Sequence, residues 1–281
     1  MPENSIAISD KEVRTTLMNW APEVQFFMDD PSRSLQFLKT AALCTLESAD
    51  LRACLTTQAG KISMIRALQR AAATGLSLNP QEGKAALVPI NGKVEYWPMK
   101  NGIIDLAHES GKVDYIAAET VFAKDTFALK KTAKGDDYEF SPALAGRGEP
   151  VAYFAVVALT GGRSIVKYMD KAQIEAHKQK YAKGLSGSKS AWNTNFNGMA
   201  EKTVLKALLK SVYLGSKVQK AIDIDDELSQ ESGQPDQKGT APTQVAEAVT
   251  MKQAEIVEHE QVAEDAEAET GSSGDGQMDI F

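Results

Sequence analysis

Lys202, Lys206, Lys210 and Lys217, with Tyr213 among them, recur at intervals that a helix advancing about 100° per residue gathers into one narrow sector. Leu205, Leu208, Leu209 and Val212 occupy the neighbouring sector. One stripe can pack, and the other can meet a polyanion. The chemistry open to a row of ammonium groups is electrostatic: it neutralises successive phosphates and holds a strand by its backbone, without reading its bases. Residues 160–222 carry 12 Lys and Arg against three acids, Asp170, Glu175 and Glu201. Within and near this stretch, Arg163, Lys167 and Lys189 join the row as candidate phosphate contacts, with Lys100 further upstream. Tyr168, Tyr181, Trp192, Phe196 and Tyr213 interleave the cations, as suits single strands, whose bases stack on rings while their phosphates meet charges. Each element of the pattern also fits a plainer role. A lysine row can be a solvated helix face, and Trp192 and Phe196 read more readily as core than as base platforms.

The net charge of −7 conceals a dipolar chain. Residues 1–222 hold 29 basic against 22 acidic side chains, whereas 223–281 hold 2 against 16. Binding responds to local field, so an acidic whole does not exclude a nucleic-acid partner for a basic part.

Other chemistries lack their residues. Gly60-Lys61 is followed by Ile62, and Gly187-Ser188-Lys189-Ser190 lacks the Gly-Lys pair, so no phosphate-cradling loop for ATP is present. His108, His177 and His259 are scattered and form no ligand set. Asp105, Glu109 and Asp114 leave a metal-dependent nuclease as the enzymatic alternative, although carboxylates around a helix end more often cap or solvate. The expectation is a protein that is not an enzyme and needs no cofactor, with a divalent cation only as a modulator. Cys44 and Cys54, without a CxxC pair, read as reduced, buried thiols. The longest apolar run, 151–159, is far short of the roughly 20 residues of a membrane span, and residues 1–10 lack the basic start and apolar block of a signal peptide. A cytoplasmic protein without a membrane partner is expected.

The elements that must position these residues follow from periodicity. Val13, Leu17, Trp20 and Val24 fall at helical intervals, as do Leu35, Leu38, Ala42 and Leu46, and a helix over 61–73 stops at Gly75. From Leu76 the period shortens. The runs 86–90 and 93–97 around Asn91-Gly92 predict a hairpin. Asn101 is placed to cap a helix over 102–110, and strands are expected at 113–122, 126–132, 138–140, 151–159 and 164–169, mostly antiparallel because their links are short. Asp170 and Gln173 form a capping box for a helix to about residue 182, and a second helix is expected over 191–214. Beyond Asp223 the only aromatic is Phe281, and the composition predicts disorder. The fold class expected is α+β: a helical part over 1–75, an α+β core over 76–222 with a mostly antiparallel sheet and basic C-terminal helices, and an acidic tail over 223–281.

Four stretches, taken together and in order, resemble the RecT family of phage and prophage single-strand annealing recombinases. They are Gly75-Leu76-Ser77-Leu78-Asn79-Pro80; Met99-Lys100-Asn101-Gly102-Ile103-Ile104-Asp105-Leu106-Ala107 with Ser110-Gly111; Pro150-Val151-Ala152-Tyr153-Phe154-Ala155-Val156 continuing to Met169 and Gln173-Ile174-Glu175; and Ala191-Trp192 through Phe196, Met199-Ala200, Lys202-Thr203 and Leu208-Leu209-Lys210. The likeness covers roughly residues 30–215. Trp97-Pro98-Met99, and Asn101 between Lys100 and Gly102, depart from the family pattern. The resemblance implies a bacterial protein that coats single-stranded DNA, pairs it with a complementary strand without ATP and holds the annealed duplex. It also implies assembly into rings or helical filaments and an exonuclease partner that supplies the strand. A binding protein that only protects single strands, without annealing them, is the competing expectation.

The tail is a separate matter. Gln277-Met278-Asp279-Ile280-Phe281 resembles the pentapeptide by which bacterial proteins dock on the sliding clamp. Mimicry of the acidic tip of single-strand-binding protein is one alternative role for it, and a plain solubility tail is another.

Overall fold

The structure, a computed structural model, describes residues 8–181 and 190–231, with the side chains of 229–231 left out. All of these lie in the compact unit Met1–Gln234. Ser9 opens the first helix, α1 (Asp10–Asn19), through a capping box with Glu12, and α2 (Ala21–Gln25) follows with Pro22 in its first turn. Pro31 begins a short 3-10 turn that leads into α3 (Ser34–Glu47) and α4 (Ala49–Cys54). The fifth helix, α5 (Gln58–Thr74), is capped by Thr57 at its start and ends at Gly75, whose φ of 76° is the left-handed conformation that glycine adopts without strain. Val13, Leu17, Leu38 and Ala42 are buried as their spacing predicts, whereas Leu35 faces outward.

The hairpin is β1 (Ala85–Ile90) paired with β2 (Lys93–Pro98), and Asn91 and Gly92 take the positive φ angles of 51° and 75° expected of its turn. It packs on α5, and Tyr96 is fully buried with its hydroxyl 2.6 Å from that of Thr74. Helix α6 (Lys100–Glu109) differs from expectation at its start. Met99 is the cap residue and supplies no side-chain bond, while Asn101 lies within the helix. Gly102 is needed there because a Cβ would fall 2.2 Å from the Lys84 carbonyl oxygen, so the helix can approach the end of the hairpin only through glycine.

Strands β3 (Val113–Phe122), β6 (Pro150–Leu159) and β7 (Ser164–Asp170) form an antiparallel sheet in the order β3-β6-β7, and β4 (Thr126–Thr132) pairs with β5 (Gly135–Ser141) as a separate hairpin. The two faces of β6 are both apolar and both covered. Tyr153, Ala155 and Val157 belong to the main core against the helices, while Phe154 and Val156 belong to a second cluster beneath the β4–β5 hairpin. Phe127 stacks on Phe154 at a centroid separation of 4.7 Å. Asp136 and Lys131 tie the hairpin to β7 by hydrogen bonds to the Val166 amide (2.8 Å) and carbonyl (3.1 Å).

Helix α7 (Lys171–Tyr181) starts at the expected capping box: the Gln173 amide donates to Asp170 at 2.7 Å, and the Asp170 amide donates back at 3.0 Å. The single helix expected over 191–214 is broken. Helix α8 (Ala191–Thr194) ends at Asn195, whose φ of −147° is not helical and whose side chain caps α9 (Phe196–Leu209) by accepting from the Gly198 amide. A turn through Leu214 and Gly215 then leads to α10 (Ser216–Glu231). Tyr213 and Lys217 therefore lie off the helix that carries Lys202, Lys206 and Lys210.

Residues 223–231, expected in a disordered tail, are helical in α10. Val218, Ala221, Ile222, Ile224 and Leu228 are buried in the core that also contains Val13, so one hydrophobic cluster spans both sides of the divisions expected at 75/76 and 222/223. Helix plus antiparallel sheet makes the fold α+β, as the periodicity predicts.

Candidate nucleic-acid interface

The lysines that head the row do not face solvent. Lys202 and Lys206 are each only 7% exposed, because the face of α9 that carries them lies under α10. Lys202 Nζ donates to Asp225 Oδ1, and Lys206 Nζ donates to Asp225 Oδ2 and, at 2.7 Å, to Asp226 Oδ1. Lys210 Nζ reaches Asp226 Oδ2 at 2.5 Å with its side chain 49% exposed. A buried ammonium without a counter-ion costs several kcal/mol (on the order of 3–5 when a pair is broken), so the acids of α10 are required once α9 packs inward. The two most buried groups respond differently. Burial pushes the Lys202 amine below its ordinary value, with the neighbouring Lys206 charge adding to the effect against Asp225. Burial opposes charge on Lys206 as well, but Asp225 and Asp226 together outweigh it and raise its pKa. Desolvation likewise disfavours the Asp225 carboxylate, yet Lys202 and Lys206 hold it below its ordinary value.

Lys100 is also engaged. Its Nζ lies 2.6 Å from Glu201 Oε2, and the other oxygen of Glu201 accepts from Thr120 at 2.7 Å, which ties α6, α9 and β3 together. Lys217 pairs with Asp29. Lys189 and residues 277–281 lie outside the described residues.

Arg163 and Lys167 are placed differently. Both are exposed, and among the described residues neither has a salt bridge or a side-chain hydrogen bond. Arg163 stands in the turn before β7, Lys167 at its centre and Lys171 at the first position of α7, so cations mark both ends and the middle of a strand about 23 Å long. Lys178 and Lys180 extend the charge along α7, where Lys178 Nζ lies 5.4 Å above the Phe196 ring and Lys180 Nζ lies 5.0 Å from that of Tyr181. Within its sheet β7 pairs only with β6, and its outer edge at Val166 is taken by Asp136 and Lys131 of the β4–β5 hairpin, so Lys167 and Tyr168 lie beyond the covered part. Register puts Lys167 opposite Ala155 on one face and Tyr168 opposite Phe154 on the other. Tyr168 is 52% exposed, so an amine and an aromatic ring flank the same edge. Lys171, Lys178 and Lys180 contribute to the basic surplus in the sequence, but nothing in one-dimensional spacing singles them out.

Trp192 is core at 6% exposure, and Phe196 is half-buried against it. Asp105 is bound to Lys84 at 2.8 Å, and among the described residues no group of three or more His, Cys, Asp or Glu side chains could hold a metal ion. Cys44 and Cys54 are free thiols, half-buried and buried. Among the described residues no helix is long and apolar enough to cross a membrane.

The α+β fold thus exposes cations along β7 and α7 and closes a second lysine cluster with its own acids. The chain belongs to the RecT family, whose model matches residues 39–239. It is 29% identical over 196 residues to the uncharacterized protein YqaK of Bacillus subtilis (strain 168), covering 69% of this chain and 65% of that protein. It is 26% identical over 174 residues to Protein RecT of Escherichia coli (strain K12), covering 59% of this chain and 63% of that one. The chain thus spans just under two thirds of the length of each relative.

Proposed function

We propose that this chain binds single-stranded DNA along the β7–α7 edge and anneals complementary strands without ATP, as a non-enzymatic step of homologous recombination. The observation that carries this reading is the set Arg163, Lys167 and Lys171, exposed and in no salt bridge among the described residues, in a chain of the RecT family. Backbone cations neutralise the repulsion between two polyanions and hold one of them extended, which leaves Watson–Crick pairing to read the sequence. Lys202, Lys206 and Lys100 serve the fold in this account, and Lys210 stands at the margin. Self-assembly into a ring or filament would multiply the phosphate contacts, with an exonuclease supplying the single strand. The terminal peptide Gln277-Met278-Asp279-Ile280-Phe281 would bring the protein to the sliding clamp at replication forks.

The test is the annealing rate of complementary oligonucleotides at saturating protein, without nucleotide. Acceleration over the protein-free rate supports the proposal. Tight binding without acceleration leaves a protective single-strand-binding protein instead, and cleavage of labelled DNA in magnesium would replace both with a nuclease.

A further inference from the structure

On the hairpin side of the sheet, the face that also carries Tyr168, an open cleft of about 340 Å³ lies between β3 and β5. Phe140 and Tyr138 line it, their centroids 5.1 and 5.7 Å from that of Phe154, which is buried behind them at 1% exposure. Tyr115 stands at the rim with half its surface exposed. Two charged groups face the cleft without closing on each other. The Arg147 guanidinium is fixed by Asp125, whose side chain is fully enclosed: Nε and Nη2 donate at 3.0 and 2.6 Å, and Nη2 also reaches the Thr120 carbonyl at 3.3 Å. Its Cζ lies 4.3 Å from the Phe122 ring centroid, and Nη1 makes no hydrogen bond among the described residues. Glu119 lines the same cleft and makes no hydrogen bond or ion pair among the described residues.

We propose that this cleft is a nucleobase-binding site that takes one base of the bound strand. The inference rests on the reading of the chain as a single-strand binder. A phosphate is disfavoured because Glu119 would repel it. An aromatic side chain from a protein would fill the rings but leave a rigid donor and a carboxylate unsatisfied, at the cost of desolvating both. A base satisfies all three features: one face stacks on the exposed Tyr115 ring, its amino or imino hydrogens reach Glu119, and its ring or carbonyl acceptors reach Arg147. Every base carries such donors and acceptors, so the site would grip without strong sequence preference.

The experiment is fluorescence anisotropy of the full chain with two labelled strands of equal length, one of mixed sequence and one built of abasic residues. Removing one stacking platform by Tyr115→Ala lowers affinity for the base-bearing strand by about five- to a hundredfold. Affinity for the abasic strand stays as in the wild type, and Tyr115→Phe restores binding. Because Tyr115 is at the rim, a thermal melt of Tyr115→Ala that matches the wild type keeps the comparison valid; for a variant that melts early, Glu119→Gln is read from the ratio of the two affinities, which falls if a base contact is lost, because removal of the charge acts on both backbones alike. Unchanged affinity for the base-bearing strand overturns the proposal and leaves the cleft to a protein side chain. Equal loss on both strands overturns it as well. Binding of neither strand by the wild type removes the single-strand reading itself, which is a different failure.

Discussion

At the scale of single residues, the same side-chain type does two jobs. Lys206 and Lys167 are alike in sequence, yet one is sealed under α10 and the other is exposed on an edge strand. Replacing Lys206 with Met removes the charge shared by Asp225 and Asp226. The account predicts destabilisation of about 3 kcal/mol in denaturant unfolding, with the salt dependence of DNA binding unaltered. A drop in that dependence without loss of stability would return Lys206 to the DNA. Asp125 gives a second prediction. Its hydrogen bonds from Arg147, reinforced by backbone amides against the cost of burial, hold its carboxyl well below the ordinary 3.8. A group depressed in the folded state contributes stability that is complete above its unfolded pKa and is lost as pH falls toward the folded one. Stability should therefore fall in acid from about pH 4 downward, and Asp125→Asn should flatten that limb. An acid limb unchanged in the variant would mean that other carboxylates dominate it.

Elements are legible in the sequence where local chemistry decides them. Asn91-Gly92 can hardly be anything but a tight turn, and the reciprocal Asp170–Gln173 bonds follow from spacing alone. Strand limits fall within a few residues of expectation because apolar runs end at turn residues. Spacing misplaces the lysine row for a reason it does not reveal. Asn195 breaks the helix, and the partner of the row is α10, whose acids Asp225 and Asp226 look like the opening of an acidic tail when charge is counted by segment. Val218, Ala221, Ile222 and Leu228 recur at helical spacing and are the signal that could have found it. Asn195→Ala should cost on the order of 1 kcal/mol through loss of the α9 cap, measured by thermal unfolding. Ending the chain after Leu214 should abolish cooperative unfolding, because it exposes the α10 seat and strands two buried amines, whereas ending it after Gln234 should leave the melting temperature unchanged. Equal melting of all three chains would make α10 dispensable.

For the whole molecule, charge separation is the governing feature. Residues 235–281 carry 11 acids and two lysines, a polyanion covalently attached to a fold with a basic edge. Removing them should tighten single-strand binding at low salt, and the difference should shrink as salt rises and screening shortens the reach of the charges. Equal affinities at low salt would show that the segment does not compete with DNA. The apolar pattern alone predicts an α+β chain, but it cannot show which cations remain free after folding, because that depends on which acids fold back. The central claim is that Arg163, Lys167 and Lys171 hold the strand. The most direct measurement is the slope of log affinity against log salt for a single strand, compared between the wild type and the triple variant Arg163→Ala, Lys167→Ala, Lys171→Ala. The account predicts a slope shallower by about 0.7 for each phosphate no longer neutralised, roughly two in all. An unchanged slope in a folded variant would contradict it.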